Sequence, residues 1–106
     1  MKTAISTDKA PAAIGPYSQA IEVNGMIYTS GVIPVVPSTG NIPDGIEAQA
    51  EQAIGNLAAL LEEAESSTDK VVKTTVFIKN MDDFAKVNEI YAKYFTGIYP
   101  ARSCVE

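Results

Sequence analysis

From Ile46 onward the chain takes on a helical period. Ile46, Ala50, Ala53 with Ile54, Leu57, Leu60 with Leu61, and Ala64 fall on one stripe, while Glu47, Glu51, Gln52 and Glu62 lie mostly off it. Such a helix has to lay its apolar stripe on another element, and the flanking segments decide which. Asp44 stands where an N-terminal cap is expected, and Ser66-Ser67-Thr68-Asp69 closes the helix without a glycine.

The flanks read as strands. Asn24-Gly25 sits between Gln19-Ala20-Ile21-Glu22-Val23 and Met26-Ile27-Tyr28-Thr29-Ser30, a hairpin signature because both turn positions need a positive φ. The stretch from Pro34 to Gly45 is rich in proline and glycine and reads as an exposed loop. Downstream of the helix, Val71-Val72-Lys73-Thr74-Thr75-Val76-Phe77-Ile78 is dense in β-branched residues and reads as a strand. Asn80-Met81-Asp82-Asp83 starts a second helix, with acidic groups near its positive end. Phe84, Val87, Ile90 with Tyr91, and Tyr94 with Phe95 form its apolar stripe; Gly97 and Pro100 end it, and a last strand begins at Ser103. The order hairpin, helix, strand, helix, strand implies an α+β fold, a mixed sheet with two helices packed on one face. The strand from Val71 carries Val72, Thr74, Val76 and Ile78 on one side and Val71, Lys73, Thr75 and Phe77 on the other. Helices on one face leave the second, half-apolar face uncovered, so burial against partner subunits or a small-ligand groove is expected there.

The residue inventory excludes several chemistries. With 106 residues the chain forms one domain, 1–106. The net charge of -5 and the absence of any basic run argue against nucleic acid and against an anionic membrane surface. There is no histidine, so Ser–His and Cys–His nucleophile systems are excluded and the commonest zinc ligand is missing; no metal and no cofactor is expected. Cys104 is the sole cysteine and cannot form an intrachain disulfide. The start lacks the apolar core of a secretory signal, and no stretch approaches the ~20 apolar residues that span a bilayer. A cytoplasmic location is the expectation.

Chemistry then falls to arginine, tyrosine, carboxylates, backbone amides and water. Arg102, in Pro100-Ala101-Arg102-Ser103, precedes an apolar strand, and its planar fork suits a carboxylate; the plain alternative is a surface arginine at a strand start. Ser30-Gly31 follows a strand, where a glycine lets a ligand approach backbone N–H groups, or where the strand merely turns into the proline loop. Tyr17 lies on a pre-strand segment and is otherwise a packed aromatic; Asn88 faces away from the main stripe of its helix and is otherwise solvated. Cys104 reads as a buried, inert thiol. The glutamates at 62, 63 and 65 read as a solvated helix face, and Pro37-Ser38-Thr39-Gly40 lacks the lysine of a phosphate loop.

Taken together these segments resemble one family. The run from Ala10 to Ala20, Ser30-Gly31, Ile33-Pro34, Thr39-Gly40, Asn56-Leu57, Val71 to Phe77, Met81-Asp82-Asp83-Phe84 with Asn88, Tyr91 and Phe95, and Pro100-Ala101-Arg102-Ser103 are collinear with the Rid (YjgF-type) reactive-intermediate deaminases. The resemblance implies a chorismate-mutase-like (bacillus-type) α+β fold and a homotrimer with ligand clefts between subunits. It further implies hydrolysis of 2-aminoacrylate-type enamines or imines to 2-keto acids and ammonia. By position, Arg102 would bind the substrate carboxylate, Gly31 and Cys104 would supply backbone hydrogen bonds, and Tyr17, Ser30 and Asn88 would line the cleft; Arg102, Tyr17 and Ser30 are the expected catalytic group.

One departure bears on the chemistry. The family's last strand continues and carries a water-activating glutamate, whereas Glu106 does not match that position. The expectation is that the natural chain continues past Glu106 and that these 106 residues therefore lack the family's C-terminal strand. A non-catalytic 2-keto-acid binding or sensing module is the alternative reading, and a nuclease or translation-inhibiting activity is a third, opposed by the acidic charge.

Overall fold

A computed structural model describes residues Met1–Glu106. Strand β1 (Thr3–Ile5) pairs antiparallel with β2 (Ala20–Val23), which pairs antiparallel with β3 (Met26–Thr29). Helix α1 (Ile46–Glu63) follows, then β4 (Lys73–Phe77), α2 (Phe84–Tyr94) and β5 (Ala101–Val105), with β4 and β5 paired in parallel. The two helices pack on each other over a mixed set of strands, as the order of elements implied. The strands, however, form two separate ladders, β1-β2-β3 and β4-β5, in place of one continuous sheet. Strand β1 was not anticipated: three residues carry no alternation that a sequence reading can detect, and β1 exists through its pairing with β2.

The hairpin turn is as expected, with Asn24 at φ 51° and Gly25 at φ 76°. The ends of α1 differ from expectation. Its N-cap is Gly45 (φ 88°) with no side-chain capping bond, so Asp44 lies one residue too early to cap. Backbone geometry makes the entry, and the Gln49 amide donates to the Pro43 carbonyl at 3.0 Å. At the other end Glu65 takes the left-handed conformation (φ 61°) usually given to glycine. The Ser66 N–H then reaches the Leu61 carbonyl (2.8 Å) and the Glu65 N–H the Glu62 carbonyl (3.0 Å). Beyond it a 3-10 turn, Thr68–Lys70, separates the helix from β4. The strand itself begins at Lys73, two residues later than the β-branched run suggests, because Val71 caps that turn. A second 3-10 turn (Met81–Asp83), whose Asp82 N–H is capped by the Asn80 side chain, leads into α2.

Ala10, Ala20 and Leu60 form a buried cluster flanked by Ile5 and Ile27, which seats α1 on the antiparallel ladder. Ile78, Val87, Ile90, Tyr91 and Phe95 are buried where α2 covers β4 and β5. Both outer faces stay open. Phe77 is 80 % exposed, and Val105, its register partner, is exposed beside it; Tyr28 and Met26 are exposed on β3.

Two buried amides hold the loops. Gln19 donates to the carbonyls of Thr7, Ala10 and Pro11 and accepts from the Thr7 N–H, which fastens the segment leading to Tyr17. Asn56, on the inner side of α1 and 2 % exposed, donates to the carbonyls of Ile33 (3.0 Å) and Val35 (2.8 Å) and accepts from Gln52 (2.8 Å). It fixes the proline loop directly after Ser30-Gly31.

Candidate functional site

Strand alternation decides where Arg102 goes. In β5, Arg102 and Cys104 are half-buried and turn toward α2, while Ala101, Ser103 and Val105 are exposed on the outer face. Phe84, Asn88 and Tyr91, spaced along one side of α2, receive the arginine. Its guanidinium carbon lies 4.8 Å from the Tyr91 ring centroid and 5.3 Å from that of Phe84, and one terminal N–H donates to Asn88 Oδ1 at 2.7 Å. Asn88 is therefore not a solvated bystander; it is the arginine's hydrogen-bond partner. No carboxylate bonds to this guanidinium, so its charge is oriented without being neutralised.

Cys104 is free and half-buried, so the expectation of a fully buried thiol is relaxed to a partly covered one. Its backbone is the more informative part. The Ala101 N–H bonds to Val72 and the Val105 carbonyl accepts from Ile78, so these peptide groups turn toward β4. Successive peptide groups point to opposite edges, which puts the Arg102 and Cys104 peptide groups on the free edge of β5. A half-buried cation and an edge N–H donor thus stand two residues apart.

The other sequence-derived residues gather at the open end of the β2–β3 hairpin. The Ser30 N–H donates to the Gln19 carbonyl (2.9 Å), and its hydroxyl donates to the Ser18 carbonyl (2.7 Å). Gly31 follows with open space where a Cβ would stand. Tyr17 is about half exposed, and its hydroxyl accepts from the Ile14 N–H at 3.4 Å. No hydrogen bond within the chain joins Tyr17, Ser30 and Gly31 to Arg102, Asn88 and Cys104, so the sequence-derived residues fall into two separate clusters. The Glu106 carboxylate accepts from the Met81 N–H at 2.8 Å and so serves the turn before α2. Tyr91 and Phe84 are not singled out for the site by sequence, because aromatic residues on a helix stripe read as core, and Thr74 reads only as one face of its strand.

A family model described as endoribonuclease L-PSP matches residues 7–106. The chain belongs to this family. Among relatives, it is 50 % identical over its whole length, and over 85 % of theirs, to the 2-iminobutanoate/2-iminopropanoate deaminase of Escherichia coli strain K12. A Rid-family protein from Yersinia pestis superposes with a TM-score of 0.97 at 52 % identity, covering 100 % of this chain and 86 % of that one. The E. coli protein TdcF, solved with bound serine, superposes at a TM-score of 0.93 with 42 % identity, over 97 % and 84 % of the respective chains. The α+β fold expected from the sequence is that of these family members.

Proposed function

We propose that this chain is an enamine/imine deaminase, converting 2-aminoacrylate-type intermediates to 2-keto acids and ammonia in a cytoplasmic setting. The observation that carries the reading is the Arg102 guanidinium, oriented by neutral Asn88 and by aromatic faces and left without an anionic partner. Such a group accepts a carboxylate through charge-assisted hydrogen bonds, worth ~1.5–3 kcal/mol each in a sheltered site. An enamine first takes a proton on C3 to become the imine; with the carboxylate gripped by Arg102 and the Cys104 N–H, the C=N carbon is held for addition of water. The carbinolamine nitrogen then takes up a proton, the hydroxyl gives one up, and the C–N bond breaks to leave the 2-keto acid and ammonia. Positioning supplies most of the acceleration in such a scheme, which suits a chain with no histidine base. The relatives' names and the serine bound to TdcF agree with a small amino-acid-like substrate.

The separation of the two clusters supports a homotrimer in which Tyr17, Ser30 and Gly31 of one protomer face Arg102 and Cys104 of the next. The exposed apolar groups Phe77, Val105 and Tyr28 supply surface for such contacts. Adding the protein to a serine or threonine dehydratase reaction should speed keto-acid release, and Arg102→Ala should remove the effect. Unchanged kinetics in the presence of the protein would overturn the reading. A non-catalytic keto-acid binding module using the same Arg102 guanidinium is the second reading; saturable binding of 2-ketobutyrate without turnover would select it.

A further inference from the structure

The Arg102 guanidinium lies over two rings, with its central carbon 4.8 Å from the Tyr91 centroid and 5.3 Å from that of Phe84, and one of those rings is itself tethered. The Tyr91 hydroxyl and Thr74 Oγ1 are 2.7 Å apart, and Thr74 is the cross-strand partner of Arg102 in the β4–β5 ladder. Tyr91 is 6 % exposed and stacks on Phe95 with centroids 4.3 Å apart, so its ring has little freedom. The geometry points to Tyr91, locked by Thr74 and assisted by Phe84, as a positioning residue that sets the plane of the Arg102 guanidinium for the substrate carboxylate. This rests on the carboxylate-binding role of Arg102 proposed above.

The physical case is one of freedom and direction. An arginine has four rotatable side-chain torsions, and bidentate recognition of a carboxylate requires the fork to lie in one plane. The Asn88 bond fixes one terminal nitrogen but leaves rotation about that bond open. The faces of Phe84 and Tyr91 remove that rotation, because a cation favours the negative face of a ring and a planar guanidinium lies against it. Neither ring carries charge, so the guanidinium keeps its full attraction for an anion. Thr74 accounts for the presence of a tyrosine: the hydroxyl anchors the ring to β4, at the residue paired with Arg102 in the neighbouring strand β5, so ring and guanidinium share one rigid ladder.

The test measures 2-ketobutyrate affinity by calorimetry, and KM and kcat in the dehydratase-coupled assay, on the full chain with wild type, Arg102→Ala, Tyr91→Leu, Tyr91→Phe and Phe84→Leu. Tyr91→Leu should weaken 2-ketobutyrate binding about tenfold and raise KM by a similar factor, the size expected for losing one sheltered cation–ring contact. Tyr91→Phe keeps the ring and should stay within about threefold of wild type, a rescue by the conservative variant. A purely structural role would lower the melting temperature of Tyr91→Leu and leave the affinity of the folded fraction unchanged. If Tyr91→Leu does not fold, Phe84→Leu, at a half-buried position, decides by the same criterion. Wild-type affinity in folded Tyr91→Leu and Phe84→Leu, with binding lost in Arg102→Ala, overturns this inference alone. Wild-type affinity in Arg102→Ala overturns the carboxylate reading and this inference with it.

Discussion

Replacing Asn56 by alanine removes two donors from the carbonyls of Ile33 and Val35 and the acceptor used by Gln52. A buried carbonyl deprived of its donor costs about 1–3 kcal/mol, so two such losses span about 2–6 kcal/mol. These contacts are only partly buried, which lets water repair part of the damage, so the lower half of that range, about 2–4 kcal/mol, is expected. For a domain near this size that corresponds to a fall in Tm of roughly 10–25 °C by circular dichroism. Asn56→Asp separates hydrogen bonding from packing. The carboxylate has nearly the same shape but cannot donate, and it turns negative oxygens toward two carbonyls, so it should be at least as destabilising as alanine. Hydrogen exchange should also rise in residues 30–36, because the loop after Gly31 loses its anchor. An Asn56→Asp protein that melts within about 2 °C of wild type would refute the donor argument and reduce Asn56 to a space-filling residue.

Glu65→Gly should stabilise the chain by about 1 kcal/mol, since φ 61° strains any residue with a Cβ; no gain in denaturant midpoint would count against the helix-end geometry. Desolvation, then the hydrogen bond to Glu51 and its negative charge, push the Tyr94 phenol above its usual range. The neutral phenol is thus favoured by folding, its contribution is complete below the ordinary tyrosine value, and it is lost as pH rises through the raised one. Tyr94→Phe should therefore flatten the alkaline end of the stability–pH curve measured by urea denaturation. Asn88→Asp should keep the bond to Arg102 yet weaken 2-ketobutyrate binding at least tenfold, because a carboxylate neutralises the charge that the neutral amide leaves free; calorimetry at neutral pH checks this.

Local physics made much of this molecule legible. The stripe from Ile46 to Ala64 reads as a helix, Asn24-Gly25 as a turn, and the alternation of Thr74 and Val76 against Lys73, Thr75 and Phe77 as a strand with two unlike faces, of which the structure covers the first. Arg102 by itself reads equally as a surface arginine, and it is the resemblance of Pro100-Ala101-Arg102-Ser103 to the family that singles it out; the absence of histidine removes competing chemistries. Asn56 carried a signal that could have been read, a polar side chain among the apolar positions of α1.

Other features depend on contacts distant in sequence, which no local pattern encodes. Strand β1 needs β2, and Asp44 lost the cap because the chain enters α1 through the positive φ of Gly45. The roles of Asn88 and Tyr91 arise where α2 crosses β5, which only the packing of the two helices over the strands determines. Periodicity reports which side of an element is buried; what that side touches is decided by how the whole chain closes on itself.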